Sequence, residues 1–113
     1  RADAMTTPAQ RAAAAATRIP WLAELPEAAR GALLAAAELI ELPGGAVLFN
    51  EGDPADAFYI VLSGSLGAYS GRDPVRRHGQ VAAGETVGEL GLITGKPRSA
   101  TVAALRDSEL LRI

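Results

Sequence analysis

Cysteine is missing from this sequence altogether, and histidine occurs once, at position 78. The first absence excludes a disulfide framework, a thiolate metal site and a cysteine nucleophile. The second leaves no set of convergent donors for a metal centre. His78, beside Arg77 in a polar stretch, reads as a solvated loop residue. Aromatic residues make up only 4% of the chain, so the core is expected to consist of small and aliphatic side chains. An excess of positive charge is also lacking: 13 acidic against 11 basic residues leave a formal charge of -2. Without a positive field, direct contact with nucleic acid is not expected. Long apolar runs are absent as well. Gly31 to Ile40 is interrupted by Glu38 and has roughly half the length a membrane span requires. Ala12 to Ala16 is too short, and too poor in leucine, for a signal peptide core. These absences together point to a reducing, cytoplasmic setting with no transmembrane segment.

What is present is the composition of a folded domain, 49% hydrophobic and 21% charged over 113 residues. That length allows one core but is short for an enzyme that must also build a cleft. Residues 1–4 read as an expression scar, with Met5 as the native start. An Ala-rich stretch without breakers from Pro8 to Arg18 predicts an N-terminal helix over 5–18. A second run, EAARGALLAAAELI from Glu27, sets Leu33, Ala37 and Ile40 at helical spacing and predicts a helix as far as Ile40. Pro26 suits its first turn. Trp21, Leu22 and Leu25, between the helices, read as packing residues.

The pattern changes at Pro43-Gly44-Gly45. Beyond it lie short strand-like segments: AVLFNEG, DPADAFYIVLSG, SLGAYSGRD, RRHGQVAAGE, SATVAALRD and SELLRI. Gly52-Asp53-Pro54, Ser63-Gly64-Ser65 and Gly71-Arg72-Asp73-Pro74 supply corners. Short strands at regular spacing argue for an antiparallel barrel or sandwich, and the preceding helices make the class α+β. One segment departs from the strand pattern. Glu89 to Thr94, between Gly88 and the breakers Gly95 and Pro97, predicts a single helical turn whose free N–H groups could face an anion.

The stretch VGELGLITGKPRSAT, Val87 to Thr101, has the glycines and the Gly-Lys step of a phosphate loop. It is not a Walker loop, because Leu90 occupies the place of the upstream glycine and Pro97 that of the magnesium-binding hydroxyl. Nor do Gly88, Gly91 and Gly95 have the spacing of a dinucleotide fingerprint. A nucleophile elbow at Ser65 fails because Ser63 stands where glycine is required. With no acid–base pair or nucleophile constellation, the expectation is a binding module and not an enzyme.

The stretch resembles the phosphate-binding cassette of the cyclic nucleotide-binding domains: Gly88-Glu89-Leu90, a short helix, then Arg98-Ser99-Ala100-Thr101. Flanking pieces agree in order and spacing, with PGGAVLFNEGD similar to the family's first strand and turn, AFYIVLSGSL to its central hairpin, and AAGETVGEL to the approach to the cassette. The resemblance runs from about Trp21 to the end and implies an antiparallel β-roll, jelly-roll-like, over residues 19–113. It implies cAMP or cGMP as ligand, with no cofactor and no metal. The ligand presents a phosphodiester charge, a ribose 2'-hydroxyl and a base. Arg98 has the planar fork of donors suited to two phosphate oxygens, helped by backbone N–H groups at Leu90, Ser99 and Ala100. Glu89, an acceptor, suits the ribose hydroxyl, and Ser99 would add its own hydroxyl to the phosphate. Lys96 is expected beside the pocket but outside it. Ser99, directly after the arginine, favours cAMP over cGMP, since threonine there tends to go with guanine. Relatives that respond to ligand continue into helices that cover the base. Here the chain stops at Ile113, so those lid helices and a C-terminal effector are expected beyond it. The cassette is most like those of bacterial catabolite-activator-type regulators and of patatin-like esterases of the neuropathy-target-esterase group, with the esterase as the favoured effector. A β-roll that has lost its ligand and serves as an interaction domain is the alternative.

Overall fold

The structure is a computed structural model that describes residues 7–71 and 75–113. The proposed scar at 1–4 and positions 5 and 6 of the predicted first helix lie outside the described residues, as do Arg72, Asp73 and Pro74 of the predicted corner after Gly71.

Helix α1 spans Pro8–Ala16 and ends two residues before the predicted 18. Thr7 opens it: its hydroxyl accepts from the Gln10 amide at 3.1 Å, while the Gln10 side chain accepts from the Thr7 amide at 2.8 Å. This reciprocal cap and Pro8 at the first helical position define the start. A single turn, α2 (Pro20–Ala23), follows, and then α3 (Glu27–Ala36) with Pro26 as its N-cap. Leu22 is fully buried and Leu25 is half-buried against the same cluster. Trp21 is not a core residue: it stays 39% exposed and its Nε1 donates to the Gly84 carbonyl at 2.8 Å.

The second helix does not reach Ile40. Ala37 turns extended at ψ 146°, and Glu38–Leu42 form strand β1. The apolar spacing that suggested a helix is compatible with a half-buried strand, and the ladder to a distant partner decides between them. Ile40 stands opposite Leu110 in that ladder.

The remaining elements are β2 (Val47–Phe49), β3 (Tyr59–Ser63), β4 (Ser65–Ser70), β5 (Arg76–Ala82), β6 (Thr86–Val87), α4 (Glu89–Thr94), β7 (Thr101–Ala104) and β8 (Ser108–Arg112). The strands make two four-stranded sheets, ordered β1-β8-β3-β6 and β2-β7-β4-β5. Every ladder is antiparallel. This is the antiparallel β-roll with N-terminal helices expected for the chain.

Strands β3 and β8 serve two cores at once because alternate residues face opposite sides. Ile60, Leu62 and Leu111 face the helices and pack with Ala12, Ala16, Ile19 and Leu22. Tyr59, Val61 and Leu110 face the second sheet and pack with Leu66, Val102 and Ala104. A strand covered on both faces has no polar side, which is why Tyr59 to Leu62 reads as an unbroken apolar run.

Candidate ligand-binding site

Helix α4 is a six-residue interruption between β6 and β7, bounded by two left-handed glycines. Gly88 has φ 91° and Gly95 has φ 71°, a conformation that costs glycine little and other residues more. Close packing adds a second reason at Gly88, where a Cβ would lie 2.5 Å from Arg98 Nη1. Gly91 sits on Ala55, leaving no room for a side chain between them.

Arg98 is fixed through its backbone. Its amide donates to Asp53 O and its carbonyl accepts from the Gly52 amide, both at 2.8 Å. The turn Asn50–Asp53 is locked in its own right, since the Asp53 side chain accepts from the Asn50 amide at 2.9 Å. So held, the Arg98 side chain runs inward and the residue is only 5% exposed. Nη1 donates to Gly88 O at 2.9 Å and Nη2 to Ala57 O at 2.7 Å. The guanidinium lies over the Phe49 ring, 4.1 Å from its centroid. Its acidic neighbour, Asp56 Oδ1, is 3.8 Å away on a side chain that is 69% exposed. Arg98 Nε is buried and has no partner among the described residues.

That balance matters, because a buried cation needs compensation for lost hydration. Two neutral carbonyls and a solvated carboxylate give partial compensation and leave one N–H unsatisfied. Asp56 is also shared with Arg112, whose Nη2 is 3.5 Å from Oδ2. A hydrogen bond with Tyr59, reinforced by Asp56 and Glu38, holds the Arg112 guanidinium above its ordinary pKa. Among the described residues, no ion pair joins Arg98 to Glu89.

A cavity of about 460 Å³ opens beside Arg98. Of the residues expected at the site, Gly88, Glu89, Leu90, Arg98, Ser99 and Ala100 line it, and Thr101 does not. The Thr101 hydroxyl instead accepts from the Glu51 amide at 2.9 Å and ties the cassette to the Asn50–Asp53 turn. Ala100 is buried, Ser99 is exposed and Glu89 is half-buried. Leu90 borders the cavity yet remains 69% exposed.

Two lining residues stand elsewhere than the sequence suggests, and a third carries a role the sequence did not assign. Lys96, expected outside the pocket, borders it. His78, expected in a solvated loop, belongs to β5 and also borders it. Phe49 carries the Arg98 guanidinium and had no assigned role. Nothing local in the sequence around His78 says which cavity it adjoins. No group of side chains suited to holding a metal ion occurs among the described residues. No helix among them is long and apolar enough to cross a membrane.

The site is thus set in an antiparallel β-roll interrupted by one glycine-bounded helical turn, with a buried arginine beside it. The sequence model of the cyclic nucleotide-binding domain matches residues 39–113. The chain is 42% identical over 83 residues to lysophospholipase NTE1 of Cryptococcus neoformans, a match covering 70% of this chain and 5% of that protein. It is 38% identical over 95 residues to an NTE family protein of Mycobacterium bovis, covering 84% of this chain and 16% of that one. Among solved structures, the regulatory domain of Toxoplasma gondii PKA, crystallised with cAMP, superposes with TM-score 0.75 at 29% identity, over 80% of this chain and 35% of that one. The chain belongs to the cyclic nucleotide-binding domain family. It spans only a small part of the curated relatives it matches.

Proposed function

We propose that this chain is the sensor module of a larger cytoplasmic protein, binding cAMP in preference to cGMP and regulating a catalytic neighbour instead of catalysing a reaction itself. The observation that carries the reading is Arg98: a buried guanidinium with an unsatisfied N–H, at the wall of a cavity of ligand size. A phosphodiester supplies the missing charge and acceptors. In this reading the amides at Leu90, Ser99 and Ala100 and the Ser99 hydroxyl complete the phosphate contacts. Glu89 accepts from the ribose 2'-hydroxyl. Gly88 allows the backbone to come close, and Thr101 holds the cassette from behind through its bond to Glu51. Ser99, lacking the methyl that would orient a threonine hydroxyl toward guanine, supports the preference for adenine.

The effector we favour is an esterase of the NTE group, since this is what the lysophospholipase and the mycobacterial relative are named for. Titration of the chain with cAMP and cGMP, followed by backbone amide shifts, tests the reading. The expected result is saturable change concentrated at Gly88 and Ser99, with cAMP the tighter ligand. Absence of change with both nucleotides identifies a β-roll without a ligand, and tighter cGMP overturns the role given to Ser99.

A further inference from the structure

Neither Asp56 nor Arg112 lines the cavity, yet both bear on the arginine in its wall. The place of Arg112 follows from the alternation of β8: Leu110 faces the second sheet, so Arg112, two residues on, projects to the same side. There it stands opposite Glu38 of β1 and Tyr59 of β3. Tyr59 in turn packs on Phe49, with ring centroids 6.1 Å apart. This aromatic pair therefore adjoins both guanidiniums, Phe49 under Arg98 and Tyr59 hydrogen-bonded to Arg112.

The two arginines share one carboxylate. Asp56, in the segment between the Asn50–Asp53 turn and β3, places Oδ2 3.5 Å from Arg112 Nη2 and Oδ1 3.8 Å from Arg98 Nη2. Only the first of these contacts is a hydrogen bond, so the carboxylate leans toward Arg112. Glu38 Oε1, 3.9 Å from Arg112 Nη1, is the other acid beside Arg112. The balance has a consequence for any anion that enters the cavity. Were Asp56 drawn fully onto Arg98, the buried charge would be neutralised, and a phosphate would have to displace the carboxylate before it could bind. Held by Arg112, Asp56 leaves that charge incompletely compensated. The Asp56 side chain is 69% exposed, so solvent and salt keep the effect modest.

We propose that Arg112 is a positioning residue for ligand binding: it holds the Asp56 carboxylate off Arg98 and so keeps the Arg98 guanidinium open to an anion. This rests on the cyclic nucleotide reading above and adds a control on affinity that lies outside the cavity. The coupling is reciprocal, as linkage requires: an anion on Arg98 releases Asp56 to Arg112 and tightens that pair.

The test is a double-mutant cycle on cAMP affinity, measured by calorimetry at low salt on the wild-type chain, Arg112→Gln, Asp56→Asn and the double variant, with urea denaturation reporting on the fold of each. Arg112→Gln should weaken cAMP by about two- to fivefold. Asp56→Asn should tighten it by a similar factor, and in that background Arg112→Gln should change nothing further. A purely structural role, or a direct attraction between Arg112 and the phosphate, predicts the same loss in both backgrounds, and that result would overturn the assignment. So would unchanged affinity in Arg112→Gln or weaker binding in Asp56→Asn. Should Arg112→Gln fail to fold, Asp56→Asn decides by itself, because it alters an exposed side chain outside the strands: tighter cAMP supports the assignment and weaker or equal cAMP overturns it. If cAMP does not bind the wild-type chain, the cyclic nucleotide reading itself fails and takes the assignment with it.

Discussion

Strand β3 and the cassette distribute their side chains in opposite ways. In β3 the four residues from Tyr59 to Leu62 are all buried, and only Ser63 is exposed. In the cassette a charged residue, Arg98, is buried beside the small Ala100, while Leu90 and Ile93 are 69% and 78% exposed. Burying apolar surface and leaving charge in water is what stabilises a fold. β3 therefore belongs to the stability of the domain. The cassette spends some of that stability on holding a cation where an anion can reach it, the kind of local exception that accompanies function.

The sharpest way to break this comparison is to truncate each region in turn. Leu110→Ala, in the core that β3 shares with β8, should lower unfolding stability by about 2–5 kcal/mol, measured by urea denaturation, with the cassette amide shifts on adding cAMP preserved in the folded fraction. Arg98→Leu should do the reverse. It should cost about 2–5 kcal/mol in cAMP affinity by calorimetry while leaving the denaturation midpoint unchanged or raised, since an apolar side chain replaces an incompletely compensated buried charge. Equal destabilisation by both substitutions would mean that Arg98 is a structural strut.

Glu89→Ala probes the cassette more finely. A loss of about 1–3 kcal/mol is expected for cAMP, the cost of an unpaired buried partner, and almost none for its 2'-deoxy analogue. Parallel losses for the two ligands would show that Glu89 positions the helix instead of touching ribose. The smallest effect is expected away from both regions. Thr7→Ala removes the cap of α1 and should lower stability by about 1 kcal/mol, with cAMP affinity unmoved; a change in affinity would reveal coupling between α1 and the cassette.

Much of the architecture was legible because it follows from neighbours in the chain. Helix α4 was predicted over Glu89–Thr94 and stands there, since Gly88, Gly95 and Pro97 bound it by their own backbone preferences. The turns at Gly52 and Gly64, both with positive φ, announced themselves in the same way. The cassette residues were legible by resemblance, and six of the seven named line one cavity. The misplacements share a different cause. Ile40 carried a helical spacing, yet its strand pairing with Leu110 overrode it. Trp21 had the composition of a core residue, yet its place depends on a carbonyl 63 residues away.

The sequence by itself determined where the chain can bend, which segments extend, and which residue types can meet a phosphate, because those properties reside in single side chains and short spacings. It could not determine that Arg98 would be buried, that Thr101 would turn back to Glu51, or that His78 and Lys96 would border the same cavity. Those outcomes depend on partners far apart in the chain. Arg98 and Ala57 are 41 residues apart, and a bulge in β5 gives His78 its place beside Ala68. Only the closing of two sheets over one another brings such groups within hydrogen-bond range, so burial and orientation were settled by the tertiary structure.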